Sequence, residues 1–190
     1  MTEKNNVVIH VHKPGLREKL FFVFSGIIVS IPITLSFNAF SRHLCFFLPI
    51  LSTEVCTTAI FAPFIEEFAK AYPLFYRHGE TGRSIFTLGF LTGLGFGITV
   101  FFLYVLGADA SIIVRLPAIF FHAGSASIIA YGIATHRPVP FYLIAVSLHL
   151  INNVFALSGP FWLIGGPFAL ITTYALSIHL YGKTEERIVV

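Results

Sequence analysis

The sequence predicts an all-α protein: a polytopic transmembrane bundle of about six helices, with room for extra short ones. Three observations point there. Of 190 residues, 56% are hydrophobic and only 11% charged, whereas a soluble domain carries about 25% charged residues. Apolar stretches long enough to cross a hydrocarbon core of about 30 Å recur along the chain. Backbone groups in hydrocarbon must be satisfied internally, and long spans without ten-residue alternation do this as helices, not as a barrel. This composition excludes a secreted disulfide domain, a nucleic-acid-binding module and a soluble enzyme. A formal charge of +3 invites no nucleic-acid partner, because Lys and Arg form no dense patch. Cys45 and Cys56 make neither a framework nor a CxxC pair, so they indicate no redox compartment.

Residues 1–19 read as a polar, basic segment, within which 7–12 alternate weakly, as either a short strand or a disordered stretch would. A long apolar run and further spans follow, so the first helix is retained rather than cleaved as a signal. The spans fall near 20–40, 48–76, 84–106, 110–134, 140–157 and 160–181, giving a transmembrane domain over 20–182 and a tail at 183–190. The second is too long for one crossing, and a loop is expected near 52–54. With six helices both ends share a side. That side collects nine of the 12 Lys and Arg: Lys4, Lys13, Arg17, Lys19, Arg77, Arg83, Arg137, Lys183 and Arg187. The opposite side has Arg42. The bias predicts that both termini are cytoplasmic and that the lipid bilayer is the surrounding partner. Gly89 and Gly93 have the four-residue spacing that lets helices approach closely, and read as a packing face.

Ionisable groups within spans are costly and mark functional candidates. Here they are Glu66 and Glu67 with Lys70, then His122, then His149 with Asn153. Glu66 is 11 residues from Arg77, His122 is 14 from His136, and His149 is 12 from Arg137. At 1.5 Å per residue all three sit about 16–21 Å inside the cytoplasmic boundary, in one layer near mid-depth. Each has a bland alternative. Lys70 shares a helical face with either glutamate and pairs with one; adjacent carboxylates point about 100° apart, which leaves the other, Glu66 first and Glu67 close behind, to face the bundle interior. His122 beside Ser125 and Ser127 can be a packing histidine, and His149 with Asn153 an interhelical hydrogen-bonding pair. Arg115, near the outer boundary, is expected to snorkel, and Glu54 to be solvated near the outer surface.

A carboxylate, two imidazoles and an amide support two hydrolytic chemistries. Glu66, His122 and His149 could hold Zn2+ with an open position for water and the second glutamate as base. Alternatively Glu66 activates water without metal while His149 and Asn153 stabilise the oxyanion. The HExxH, GxGxxG, GxSxG and Walker patterns are absent.

Four ordered segments carry a resemblance. APFIEEFAK at 62–70 resembles the EExxK motif of the PrsW-type intramembrane proteases, within the CAAX prenyl protease and bacteriocin-processing (CPBP/Abi) superfamily. GFLTGLGFGITVFFLY at 89–104 resembles the second segment, FFHAGSASIIAYG at 120–132 the third, with His122 its histidine, and SLHLINN at 147–153 the HxxxN motif, giving His149 and Asn153. The match covers about residues 60–155. The resemblance implies a membrane-embedded endopeptidase that hydrolyses a peptide bond in a membrane-bound protein, anti-sigma-factor-like or another single-span protein, with Glu66, Glu67, His122, His149 and Asn153 catalytic and Lys70 in support. The second segment departs from the pattern: Val100 stands where FxxxE has glutamate, and Phe101 where Asn follows. A silent relative that binds a membrane protein is therefore the competing expectation. A small ion transporter is a third, since intramembrane Glu and His also mark ion pathways, but the chain lacks the repeats such proteins show.

Overall fold

A computed structural model describes residues 12–76 and 80–186. The described residues form six helical rods. The first joins α1 (Leu16–Ile28) to α2 (Ser30–Cys45). The second runs through α3 (Ile50–Glu54), a π-helical segment (Val55–Phe61), α4 (Ala62–Ala71) and a 3-10 turn (Tyr72–Tyr76). α5 (Gly82–Gly107), α6 (Ile112–Ala134), α7 (Pro138–Leu157) and α8 (Trp162–Lys183) follow. Five of the rods, Leu16–Cys45, Gly82–Gly107, Ile112–Ala134, Pro138–Leu157 and Gly159–Lys183, are long and apolar enough to cross a membrane. The remaining rod carries Glu54, Glu66, Glu67 and Lys70. The chain is an all-α bundle of the multi-pass membrane kind.

Three details differ from the sequence reading. The first helix starts at Leu16, inside the segment taken as polar tail. The break between α1 and α2 at Val29 lies just before Pro32, which has no amide hydrogen to continue the ladder. The loop expected near 52–54 is helical, and the chain turns at 46–49 instead. Thr53 explains this: its hydroxyl lies within 3.2 Å of the carbonyls of Cys45, Leu48 and Pro49, so a polar residue that reads as loop satisfies the preceding turn from within a helix. That turn also brings Cys45 and Cys56 together as a disulfide with a Cα–Cα distance of 6.2 Å, a pairing the spacing did not announce. Of the weakly alternating stretch at 7–12, only His12 is described, in a single parallel bridge with Glu80; 7–11 lie outside the described residues, as do Lys4, Arg77 and Arg187.

The bundle is apolar on its surface as well as in its core, where Phe22, Leu74, Leu88 and Ile128 are buried. Its exposed surface carries Phe, Leu and Ile in large number, among them Phe47, Ile113 and Leu106, while Ser30, Glu67, Lys70, Thr92, Ser125 and Ser127 are sealed within. Without a hydrophobic drive between helices in lipid, close backbone approach and internal polar contacts must hold the bundle. α5 supplies the approach. Gly89, Gly93 and Gly97 lie against α6 at Ala130, at His122 and Ala126, and at Ile119, leaving no room for a Cβ. The reverse edge of α5 meets α1, where Gly95 sits on the backbone of Val23 and Gly26 on that of Thr92. At the end bearing the termini, Arg83 of α5 donates to the Thr184 carbonyl at 3.0 Å and lies over the Tyr181 ring.

Candidate active site

α7 holds the α4 rod at three heights. Tyr142 donates its hydroxyl hydrogen to the Phe64 carbonyl at 2.8 Å, His149 Nδ1 lies 2.8 Å from Glu67 Oε1, and Asn153 Nδ2 donates to the Thr58 carbonyl at 2.9 Å. The lowest and highest contacts align the two helices, and the middle one is the polar cluster.

Glu67 and Lys70, one turn apart, are both fully buried and pair at 2.8 Å. The Lys70 ammonium also donates to Ser125 Oγ at 2.8 Å, lies 3.2 Å from His122 Nδ1 and stands over the Phe96 ring. Glu66 points the other way, about a sixth exposed, with Oε2 3.7 Å from His149 Nε2. The two imidazoles meet edge to face at 5.4 Å, and Phe121 packs on both. Glu66, Glu67, Lys70, His122 and His149 are thus brought into one cluster. Asn153 is brought to the same cavity, but its amide nitrogen is committed to Thr58.

The hydrogen-bond network assigns the histidine protons. An ammonium has only donors, so His122 Nδ1 accepts from Lys70 and the neutral ring carries its proton on Nε2. Glu67 Oε1 accepts, so His149 Nδ1 carries a proton, and its Nε2 faces Glu66 Oε2 at 3.7 Å. Nδ1 thus accepts in His122 and donates in His149.

This bears on metal binding. Ligand atoms of Glu66, His122 and His149 lie within 4.8 Å of one another, and the contact between Glu67 and His149 is the carboxylate–histidine arrangement found behind metal-bound imidazoles. Glu66 and His149 therefore suit a cation. His122 does not: offering Nε2 as a ligand would put its proton on Nδ1, facing the Lys70 ammonium. As a set, the three residues fit zinc poorly.

Glu66, His122 and His149 line a cavity of about 660 Å³ that extends to Arg42, Glu54, Tyr104, Arg115 and Leu157 at the far helix ends. Arg115 lies over the Tyr104 ring at 3.7 Å, and Glu54 and Val100 are also on the wall. Sequence reasoning passed over Asn38, Thr58 and Asn152, which share this cavity. Asn38 and Asn152 could have been noticed as amides inside apolar spans; nothing local marks Thr58. No family model, curated protein or solved structure matches the chain.

Proposed function

We propose that this chain is a membrane-embedded endopeptidase of the PrsW type that cleaves a membrane-bound protein, anti-sigma-factor-like or otherwise single-span. The observation that carries the reading is the placing of Glu66: partly accessible, on a cavity wall, beside Nε2 of His149, while its neighbour Glu67 is spent on His149 and Lys70. Glu66 takes a proton from water as the water oxygen bonds to the scissile carbonyl carbon. The Nε2–H of His122 donates to the oxyanion that forms. As the C–N bond breaks, the proton held by Glu66 passes to the leaving amine. Glu67 fixes the His149 ring and Lys70 fixes the tautomer of His122. Zinc is the alternative: Glu66 and His149 would hold it and it would supply Lewis-acid activation, but the proton on His122 favours the metal-free form.

Both termini are assigned to the cytoplasm. The Lys and Arg bias supports this. So does the disulfide between Cys45 and Cys56 at the opposite end, since disulfides persist in oxidising compartments.

The test uses the full chain in lipid nanodiscs with a panel of single-span proteins. Cleavage of one of them, lost in Glu66→Gln and unchanged by chelator, is expected. Failure of both the unmodified chain and Val100→Glu to cleave any would overturn the reading in favour of a silent binding protein.

A further inference from the structure

At the end of the bundle that carries the termini, away from the cavity, a second set of metal-ligating side chains converges from three parts of the chain. His12 precedes α1, Glu18 lies in its first turn, and Glu80 precedes α5. One imidazole nitrogen faces both carboxylates: His12 Nε2 is 2.7 Å from Glu18 Oε2 and 3.8 Å from Glu80 Oε1. The three ligand atoms lie within 4.8 Å of one another. The parallel backbone bridge between His12 and Glu80 holds these two residues in register.

From this geometry we propose a divalent transition-metal site made by His12, Glu18 and Glu80, independent of the proposed protease chemistry. Zinc bonds of about 2.0–2.2 Å place neighbouring tetrahedral ligands about 3.3 Å apart. The two distances from His12 Nε2 bracket that spacing, so small side-chain adjustments suffice to seat an ion. With the imidazole proton on Nδ1, the Nε2 lone pair and one oxygen of each carboxylate are free to turn toward a shared ion. The mixed imidazole and carboxylate set suits zinc and its first-row neighbours rather than calcium or magnesium, which prefer all-oxygen shells. The burial gradient fits an entry path. His12 is more than half exposed, Glu18 is a fifth exposed and Glu80 is sealed, so an ion reaches the site from solvent and water completes its shell. The bound ion would pin the start of α1 to the start of α5.

Zinc chloride is titrated into the full chain in detergent, followed calorimetrically, with hydrogen exchange of residues 13–18 as a structural readout. One zinc ion is expected to bind in the wild type and in His149→Ala. His12→Ala and Glu18→Gln should each weaken binding by about 100-fold or more, beyond what loss of an outer-shell partner gives. Zinc should slow exchange at 13–18 in the wild type but not in His12→Ala. Zinc binding that survives both variants, or that vanishes in His149→Ala, would overturn the proposal. So would absence of binding at millimolar zinc, which would leave His12 and Glu18 as an ordinary ion pair.

Discussion

Asn153 supplies the hydrogen bond that Pro63 withholds from Thr58. In the π-helical segment Val55–Phe61 each carbonyl accepts from the amide five residues on, and Ala62 N–H accordingly reaches the Thr57 carbonyl. The next partner in that register is residue 63, a proline without an amide hydrogen. The Thr58 carbonyl is left for a side chain, and Asn153 Nδ2 takes it at 2.9 Å. The contact joins α7 to the segment leading into Glu66.

Asn153→Leu should lower stability by about 1 kcal/mol, the low end of the cost of an unsatisfied carbonyl, since this one is only partly buried. Pro63→Ala restores a backbone donor and should shrink that loss. Thermal unfolding of the two single variants and the double variant in one detergent measures the coupling. Equal losses from Asn153→Leu in both backgrounds would refute the account.

Lys70→Met strands Glu67 in the interior and should cost about 3–5 kcal/mol. Combining it with Glu67→Gln should recover part of that loss, because the uncompensated charge is gone. The readout is the unfolding midpoint; a double variant as unstable as Lys70→Met alone would contradict the pairing.

Val100 shares the cavity wall with Glu66. The unmodified chain is therefore expected to cleave weakly, and Val100→Glu to raise the rate by placing a second carboxylate in that cavity. Comparative turnover of one nanodisc-bound substrate decides this. Strong Glu66-dependent cleavage by the unmodified chain, and no gain in Val100→Glu, would show that a carboxylate at this position is dispensable.

A Cβ at Gly93 would stand 2.7 Å from Ala126 Cβ and 2.9 Å from Ala123 Cα, and would also strike the carbonyl of His122. Gly93→Val should cost about 1–3 kcal/mol by overpacking and displace His122. Gly107→Val meets nothing within 4 Å and serves as the control. Equal melting of the two would remove α5 as the support of the site.

The disulfide closes a short loop, and in the chain-entropy account its loss should cost roughly 3 kcal/mol. Cys45→Ser with Cys56→Ser, melted beside the reduced wild type, should give matching midpoints below the oxidised protein. An unchanged midpoint would refute that account.

The rods were legible because hydropathy is written locally: a residue such as Phe102 faces lipid whatever its neighbours. The polar cluster was legible because Glu66, His122 and His149 are expensive in apolar spans, and their depths follow from counting along helices. What depends on chain reversal was not. The side chain of Thr53 decides between loop and helix through carbonyls on the preceding turn. Cys45 finds Cys56 only because the turn falls at 46–49. The opposite roles of Nδ1 in His122 and His149 depend on Lys70 and Glu67, which are 52 and 82 residues away.

The link between Cys45 and Cys56 also makes residues 46–55 a covalent ring. A single cut in that ring would leave both halves of the chain joined. A nicked molecule would run as one band on a denaturing gel until reductant split it in two. Wherever a protease reaches the turn, one scission would leave the wall of the cavity tethered.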